Sequence, residues 1–166
     1  MSLAQDHLTS RLGRRFTLAG TSPYDGVRWQ SRDARLVDHR DGSVAFEQLG
    51  VEFPEDWSVT ASNIVAQKYF RGSAVAGTRE TSLRQVIDRV AGAIRAWGER
   101  DGYFDDADEA DTFADELRHL LLHQYVSFNS PVWFNIGVPG VPQQASACFI
   151  LDVEDDLRWI LNWYTE

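Results

Sequence analysis

The segment from Leu83 to Trp97, LRQVIDRVAGAIRAW, carries the clearest structural signal in the chain. Its large apolar residues recur at steps of three and four along the sequence: Leu83, Val86, Ile87, Val90, Ile94 and Trp97. This spacing places them on one side of an α-helix, so the segment is predicted to be a helix with one buried face. The glycine-containing stretch from Gly98 to Asp106 is expected to end it.

Weaker patterns on both sides predict further elements. Ser58 can cap a helix running to about Phe70, and Asp108 or Asp111 can start another whose apolar face is Phe113, Leu117, Leu120, Leu121 and Tyr125. A last helical stripe runs from Leu157 to Tyr164. Apolar residues between Ala34 and Phe53 flank Asp41-Gly42, a dipeptide suited to a tight turn between two strands. The predicted fold class is mainly α (α+β), with one small β-hairpin.

Composition limits the class of protein. The chain has 166 residues, 43% apolar, and a formal net charge of −9, which fits one soluble domain. Its single cysteine, Cys148, excludes an intrachain disulfide, a zinc ribbon and a CxxC redox motif. No secretion signal opens the chain, and no run of about 18 apolar residues occurs. We therefore expect a cytoplasmic protein without a membrane span.

The charge is unevenly distributed. Residues 101–166 hold two basic and thirteen acidic side chains, and eight of those acids lie between Asp101 and Glu116. Binding of a nucleic acid needs a basic surface, so nucleic-acid partners are not expected. The acidic cluster lacks the spacing of a calcium-binding loop, so it is predicted to be a solvated helix face rather than a metal site.

A stretch of 33 residues between Arg118 and Asp152 contains no Asp, Glu, Lys or Arg. Its mixture of Asn, Gln, Ser, Pro, Gly and aromatic residues is typical of buried but irregular backbone. Such backbone either forms the wall of a ligand pocket or is a buried loop whose amides cap neighbouring elements, and composition leaves both open.

Two chemically reactive groups lie within this stretch. Cys148 lies in the apolar run from Ser146 to Leu151, which is predicted to be a buried strand, where a lone cysteine is usually inert. His119 and His123 are four residues apart and can share a helix face, but without a third ligand they are more often packed or surface residues. Phosphate-loop, dinucleotide-binding, zinc-protease and serine-hydrolase motifs are absent from the sequence.

Five short segments together resemble the N-terminal part of adenosylcobalamin-dependent, class II, ribonucleotide reductases. They are Pro23–Trp29 (PYDGVRW), Phe46–Gln48 (FEQ), Lys68–Gly72 (KYFRG), Phe128–Asn135 (FNSPVWFN) and Gln144–Ile150 (QASACFI). The specific part is the Asn-Ser-Pro-Val-Trp-Phe-Asn block followed by Ser-Ala-Cys-Phe-Ile at this separation. The resemblance implies a helical N-terminal domain that leads into the first strand of a ten-stranded α/β barrel, the rest of which this chain lacks.

The resemblance also implies roles for individual residues. Cys148 matches the first cysteine of the pair that delivers two reducing equivalents to the ribose 2′ carbon, and a third cysteine, as a thiyl radical, removes the 3′ hydrogen. Asn129 and Ser130 match a neutral segment that contacts the nucleotide, and Ser146 and Ala147 flank the cysteine on the same wall. Asp155 matches an acid that holds the ribose of a deoxynucleotide effector, although a role as a helix-terminal acid explains its position equally well.

The resemblance further implies the cofactor and the partners. Adenosylcobalamin is the cofactor of the complete enzyme, and its binding surface is expected to lie outside this chain. The expected partners are a ribonucleotide substrate, a deoxynucleoside triphosphate (dNTP) effector, the C-terminal remainder of the reductase and a second copy in a homodimer. No metal site is expected in the chain itself.

The expected layout has three parts. Residues 1–15 form a polar arm, residues 16–140 a mainly helical N-terminal domain, and residues 141–166 the first barrel strand and its following helix. Complete enzymes of this family are several times longer, so the chain is expected to be an N-terminal portion that is inactive alone. The alternative function is a non-catalytic helical protein-interaction module with an acidic docking face, which would have no use for Cys148 in its motif.

Overall fold

The computed structural model describes residues 12–149 and 152–165, and within them the chain forms one two-stranded sheet and five helices. In chain order the elements are β1 (Trp29–Val37), β2 (Val44–Pro54), α1 (Val59–Lys68), α2 (Leu83–Arg100), α3 (Ala107–Leu122), α4 (Ser130–Asn135) and α5 (Leu157–Thr165). The predicted mixture of one hairpin and several helices is confirmed. The first eleven residues, which include most of the predicted polar arm, lie outside the described residues.

The hairpin is antiparallel, and its register runs from Trp29 opposite Pro54 to Val37 opposite Val44. The connection is wider than the predicted tight turn, because Asp38 N–H donates to the Ser43 carbonyl over 2.8 Å and closes a loop of six residues. Gly42 still occupies the left-handed region of the backbone, with φ of 75°. The dipeptide therefore marks the turn but does not form all of it.

Side-chain caps start the helices where local chemistry allows. The Ser58 hydroxyl accepts a hydrogen bond from Ala61 N–H at 3.1 Å, as predicted. Ser82 and Gln85 form a reciprocal capping box at the start of α2. The start of α3 differs from the expectation, since Asp106 rather than Asp108 or Asp111 is the cap and accepts from Glu109 N–H at 2.8 Å.

The core lies where the hairpin packs against α1, α2 and α3. Its buried side chains are Ala34, Val51, Phe53, Ala66, Phe70, Leu83, Val86, Ile87, Leu121 and Leu122. At its centre the rings of Phe53 and Phe70 stack with centroids 5.7 Å apart. A smaller cluster of Val90, Val132 and Ile136 joins α2 to α4. The predicted α2 stripe therefore holds both clusters together.

Part of the acidic cluster binds the end of the N-terminal arm instead of facing solvent, which corrects the prediction. Glu109 accepts from Leu12 N–H at 2.7 Å, and Asp115 pairs with Arg14 at 2.8 Å. Glu116 accepts from the N–H groups of residues 15–17 and from the Thr17 hydroxyl. Burial raises the pKa of Glu116, but these hydrogen bonds outweigh burial and lower it below its ordinary value.

The predicted strand from Ser146 to Leu151 is wrong over the residues that the structure describes. Residues 146–149 are irregular and exposed, and residues 150 and 151 lie outside the described residues. A strand needs a neighbouring strand to pair its backbone groups, and no strand neighbours residues 146–149 here. Among the described helices, none is long and apolar enough to cross a membrane.

Candidate functional site

The neutral Asn-Ser-Pro segment forms the start of α4. Asn129 is the N-cap residue, Pro131 lies in the first turn, and both Asn129 and Ser130 are exposed. A proline fits there because the first helical N–H groups have no partner within the helix. The Ser130 hydroxyl lies 3.1 Å from the Tyr69 hydroxyl at the end of α1. This hydrogen bond joins the N-terminus of α4 to the end of α1.

Arg89 anchors the opposite end of α4 from within α2. Its guanidinium pairs with Glu80 at 2.7 Å, and the two side chains are only 10% and 12% exposed. The same guanidinium donates to the backbone carbonyls of Ile136 at 2.7 Å, Trp133 at 3.2 Å and Tyr69 at 3.3 Å. One arginine therefore links α1, α2 and α4 through their backbones.

The turn after α4 requires a glycine. Gly137 has φ of 72°, and a Cβ atom at this position would lie 2.5 Å from the Arg89 carbonyl oxygen. The Gln143 side chain then accepts from Gly137 N–H at 2.7 Å and donates to the Val141 carbonyl at 2.8 Å. These contacts fold residues 137–143 into a short closed loop.

This loop brings together the two halves of the motif quoted above. The Asn135 side-chain amide, at the end of α4, donates to the Gln144 carbonyl over 2.9 Å. Gln144 begins the segment that carries Ser146, Ala147 and Cys148. The Gln144 amide in turn donates to the Ser146 carbonyl at 3.0 Å. A neutral helix and the cysteine segment thus belong to one continuous surface.

Cys148 lies on this surface with its side chain exposed, which corrects the prediction of a buried thiol. The Ser146 hydroxyl accepts from Cys148 N–H at 3.3 Å and donates to the Cys148 carbonyl at 3.2 Å. Ser146 therefore shapes the backbone around the cysteine, and Ala147 is exposed beside it. Burial of the thiol would need the neighbouring strands of a sheet, and neither of the two described strands pairs with these residues.

Asp155 and Asp156 have different structural roles. Asp156 precedes α5, and its carboxylate accepts from the N–H groups of Arg158 at 2.9 Å and Trp159 at 3.4 Å. Asp155 is exposed and makes no side-chain hydrogen bond or ion pair within the described part of the chain. The capping role that could have explained Asp155 therefore belongs to Asp156.

The stretch without charged residues divides into two parts. Its first part, up to Trp133, lines a cleft of about 340 Å³ together with Trp57, Tyr69 and the apolar face of α2. Its last part, residues 142–149, is exposed. The first part of the stretch therefore forms a pocket wall, and side-chain amides in the later part cap neighbouring backbone groups. Composition alone gave these two structures as alternatives for the whole stretch.

His119 and His123 belong to an aromatic stack and not to a cluster of metal ligands. Their ring centroids are 4.3 Å apart, and Phe16 of the arm stacks on His119 at 5.1 Å. Burial, followed by the nearby His123, lowers the pKa of His119. Within residues 12–149 and 152–165, no three His, Cys, Asp or Glu side chains group as a metal site requires.

The residues that build this surface were largely missed by sequence reasoning. Arg89, Glu80, Asn135 and Gln143 act through backbone carbonyls and N–H groups of distant segments. A charged pair nine residues apart, spanning a loop and a helix, has no periodic signature. The one available signal was the Asn-Ser-Pro-Val-Trp-Phe-Asn block, which includes Asn135.

Comparison with known proteins agrees on one family. Residues 31–124 match the family model described as class II vitamin B12-dependent ribonucleotide reductase. A protein named vitamin B12-dependent ribonucleotide reductase from Streptomyces coelicolor is 54% identical over 156 residues, which cover 94% of this chain and 16% of that protein. Proteins of the same name from Rhodopirellula baltica and Bradyrhizobium diazoefficiens are 37% and 36% identical, over 86% and 77% of this chain.

The chain spans about one sixth of the length of these curated relatives. The family model covers the hairpin from Ser31 onward and α1 to α3, which are the elements that form the main core. The resemblance drawn from five short segments and the match over the folded core thus identify the same proteins. The chain belongs to the class II vitamin B12-dependent ribonucleotide reductase family and corresponds to its N-terminal region.

Proposed function

We propose that the chain is the N-terminal portion of an enzyme that reduces ribonucleotides to deoxyribonucleotides by adenosylcobalamin-initiated radical chemistry. It would be inactive without the remainder of the reductase. The single observation that carries this proposal is the Asn135–Gln144 hydrogen bond of 2.9 Å. It joins the neutral α4 segment to the Cys148 segment, as a nucleotide-contacting wall beside a reductant cysteine would require.

The residues of this chain have distinct roles in the proposal. Asn129 and Ser130, at the exposed start of α4, contact the nucleotide through neutral polar groups. The Cys148 thiol supplies one of the two reducing equivalents, and its sulfur ends in a disulfide with a cysteine of the remaining chain. Ser146 holds the backbone on either side of Cys148 and so orients the thiol.

In this proposal Cys148 is exposed only because the rest of the enzyme, which would cover it, is not part of this chain. Radical intermediates need a site from which water is excluded. Residues 146–149 are irregular, and their backbone pairs with no strand among the described residues. The remainder of the reductase would pair with this segment, complete the barrel and cover the thiol.

The described residues do not fit a corrinoid cofactor, although the names of the relatives imply one. Well-formed clefts in the described region have volumes of about 220 to 340 Å³. Clefts of about 300 to 1,000 Å³ hold drug-sized ligands, and a corrinoid is considerably larger. We therefore place the binding surface of the cofactor on the remainder of the enzyme.

Asp155 and homodimer formation complete the proposal. An exposed carboxylate without a partner in the described chain is free to accept hydrogen bonds from the ribose hydroxyls of a dNTP effector. The neighbouring α5 carries exposed Leu157, Leu161 and Tyr164, which suit a subunit contact. Effector site and dimer contact would then be adjacent.

The test combines this chain with the missing C-terminal part, adenosylcobalamin, a ribonucleotide and a dithiol. We expect deoxyribonucleotide formation from the mixture and none from either part alone. Cys148→Ser should abolish turnover while leaving the circular dichroism spectrum unchanged, because the residue is exposed and the substitution nearly isosteric. Multiple turnovers by the serine variant would overturn the role of Cys148.

A further inference from the structure

The KYFRG segment, Lys68 to Gly72, has no role in the proposed reaction, yet its arginine has an unusual environment. Arg71 makes no ion pair within the described residues. Its Nε donates to the Phe134 carbonyl at 3.0 Å, and its guanidinium lies over the Phe134 ring, 4.9 Å from the centroid. Both terminal nitrogens lack a hydrogen-bond acceptor in the described chain and reach solvent. The Nε of Arg71 is thus hydrogen-bonded to the protein, whereas its two terminal nitrogens are available to a ligand.

Two of the three charged side chains that act on Arg71, Arg79 and Arg89, are positive, although the chain as a whole carries −9. Glu80 is already paired: its carboxylate forms an ion pair with the Arg89 guanidinium at 2.7 Å and accepts a hydrogen bond from Arg71 N–H at 2.7 Å. Arg79 directs its donors to Gln48 and to the Ala66 carbonyl. Burial, followed by the charge of Arg89, lowers the pKa of Arg71 from its ordinary value, and the charge of Glu80 opposes this shift.

A cavity adjoins Arg71. It has a volume of about 310 Å³, and its lining also includes Gly72, Thr78, Val138, Pro139 and the Glu80–Arg89 ion pair, whose opposite charges compensate each other. Gly72 has φ of 95°, and a Cβ atom there would lie 2.2 Å from the Thr78 carbonyl oxygen. The Gly72 N–H donates no hydrogen bond within the described residues, and Gly72 is part of the cavity lining. Bonds between Ser73 and Thr78 keep this loop closed.

We propose that Arg71 and the backbone of Gly72 form a binding site for a single phosphate group, in a cavity whose lining does not include Ser130 or Cys148. A guanidinium fork matches the oxygens of a phosphate, and a backbone N–H beside a glycine allows close approach. A long polyanion is disfavoured because the chain as a whole is acidic. The phosphate is either free or carried by a nucleotide, and the cavity has room for more than the phosphate itself.

The test is titration of the ¹⁵N-labelled chain with inorganic phosphate and with adenosine monophosphate, at constant ionic strength maintained by sodium chloride. We expect saturable shifts of the amide signals of Gly72, Thr78 and Val138. Binding of the nucleotide at least tenfold more tightly than phosphate would identify a nucleotide ligand, and equal affinities a free phosphate. Identical shifts with sodium chloride alone would overturn the site.

Variants separate this site from general charge effects. Arg71→Gln should weaken phosphate binding about tenfold to a hundredfold, because a charge-assisted fork is lost. Arg40→Gln removes the same charge from an exposed position in the hairpin turn and should leave affinity unchanged. Pro139→Glu keeps Arg71 intact but adds a negative charge at the exposed rim of the cavity, so it should also weaken binding. Wild-type affinity in either Arg71→Gln or Pro139→Glu would overturn the proposal.

Discussion

Arg89 and Glu80 form an ion pair of 2.7 Å in which each side chain is almost removed from solvent. The pair is useful to the fold because Arg89 directs its remaining donors to three carbonyls that belong to α4, the turn after it and the residue that ends α1. Glu80 in turn accepts from Arg71 N–H. The surface that carries the family motif therefore depends on a charged pair buried beneath it.

Arg89→Met is expected to destabilise the chain strongly. Removing one partner of a buried ion pair leaves the other charge uncompensated, which costs about 3 to 5 kcal/mol. The measurement is urea unfolding followed by tryptophan fluorescence. Arg28→Met is the matched control, since the Arg28–Glu55 pair is exposed and such pairs contribute about 0 to 1 kcal/mol. Equal losses in the two variants would show that burial of the pair does not matter.

Glu116 should make the attachment of the arm dependent on pH. Its pKa is lower in the folded chain than its ordinary value of 4.5, so the ionised form stabilises the fold. That contribution is fully present above about pH 4.5 and is lost as the pH falls through the lower folded pKa. We expect wild type to melt at a higher temperature than Glu116→Gln at pH 7, and the difference to shrink towards pH 3.

A second substitution tests the cause of that pKa shift. The Thr17 hydroxyl donates to Glu116 at 2.7 Å, the shortest of its hydrogen bonds. In a Thr17→Val background, Glu116→Gln should lower the melting temperature at pH 7 by less than the same substitution does in wild type. If Glu116→Gln lowered the melting temperature equally in both backgrounds, the lowered pKa of Glu116 would be due to the backbone N–H groups alone.

Cys148 should react readily in the isolated chain. Its side chain is exposed, so a disulfide reagent is expected to label it completely under native conditions, without denaturant. Addition of the C-terminal part of the reductase should slow labelling at least tenfold, because the proposed barrel covers the thiol. Unchanged labelling in an active mixture would contradict the proposed burial. Cys148→Ser provides the unlabelled background.

Asp155 and Asp156 provide a matched pair of substitutions. Asp156→Ala removes the cap of α5 and should cost that helix about 0.5 to 2 kcal/mol, visible as lost helical chemical shifts from Leu157 onward. Asp155→Ala should leave the helix intact. In the reconstituted enzyme the effects should reverse, with Asp155→Ala weakening dNTP affinity about tenfold to a hundredfold. Equal dNTP-induced melting shifts for wild type and Asp155→Ala would refute the effector role.

The sequence by itself determined the elements with local causes. The apolar stripe of α2, the Ser58 cap and the position of the hairpin turn depend on residues within a few positions of one another, so periodicity and capping chemistry predict them. The family also followed from sequence, because the Asn-Ser-Pro block and the Ser-Ala-Cys block are short and specific. The start of α3 was misplaced by two residues or more because several aspartates there could cap it, and only one does.

Only the tertiary structure decided the environments of the charged and reactive groups. Glu116 binds backbone about 100 residues away, and Arg89 reaches the Ile136 carbonyl across 47 residues. Such contacts have no sequence period, because the chain path between the partners sets them. The environment of Cys148 was also decided by tertiary structure. Its apolar neighbours in the sequence predicted burial, but a strand is buried only when other strands pair with it and cover it. Among the described residues, no strand pairs with residues 146–149, and Cys148 is exposed.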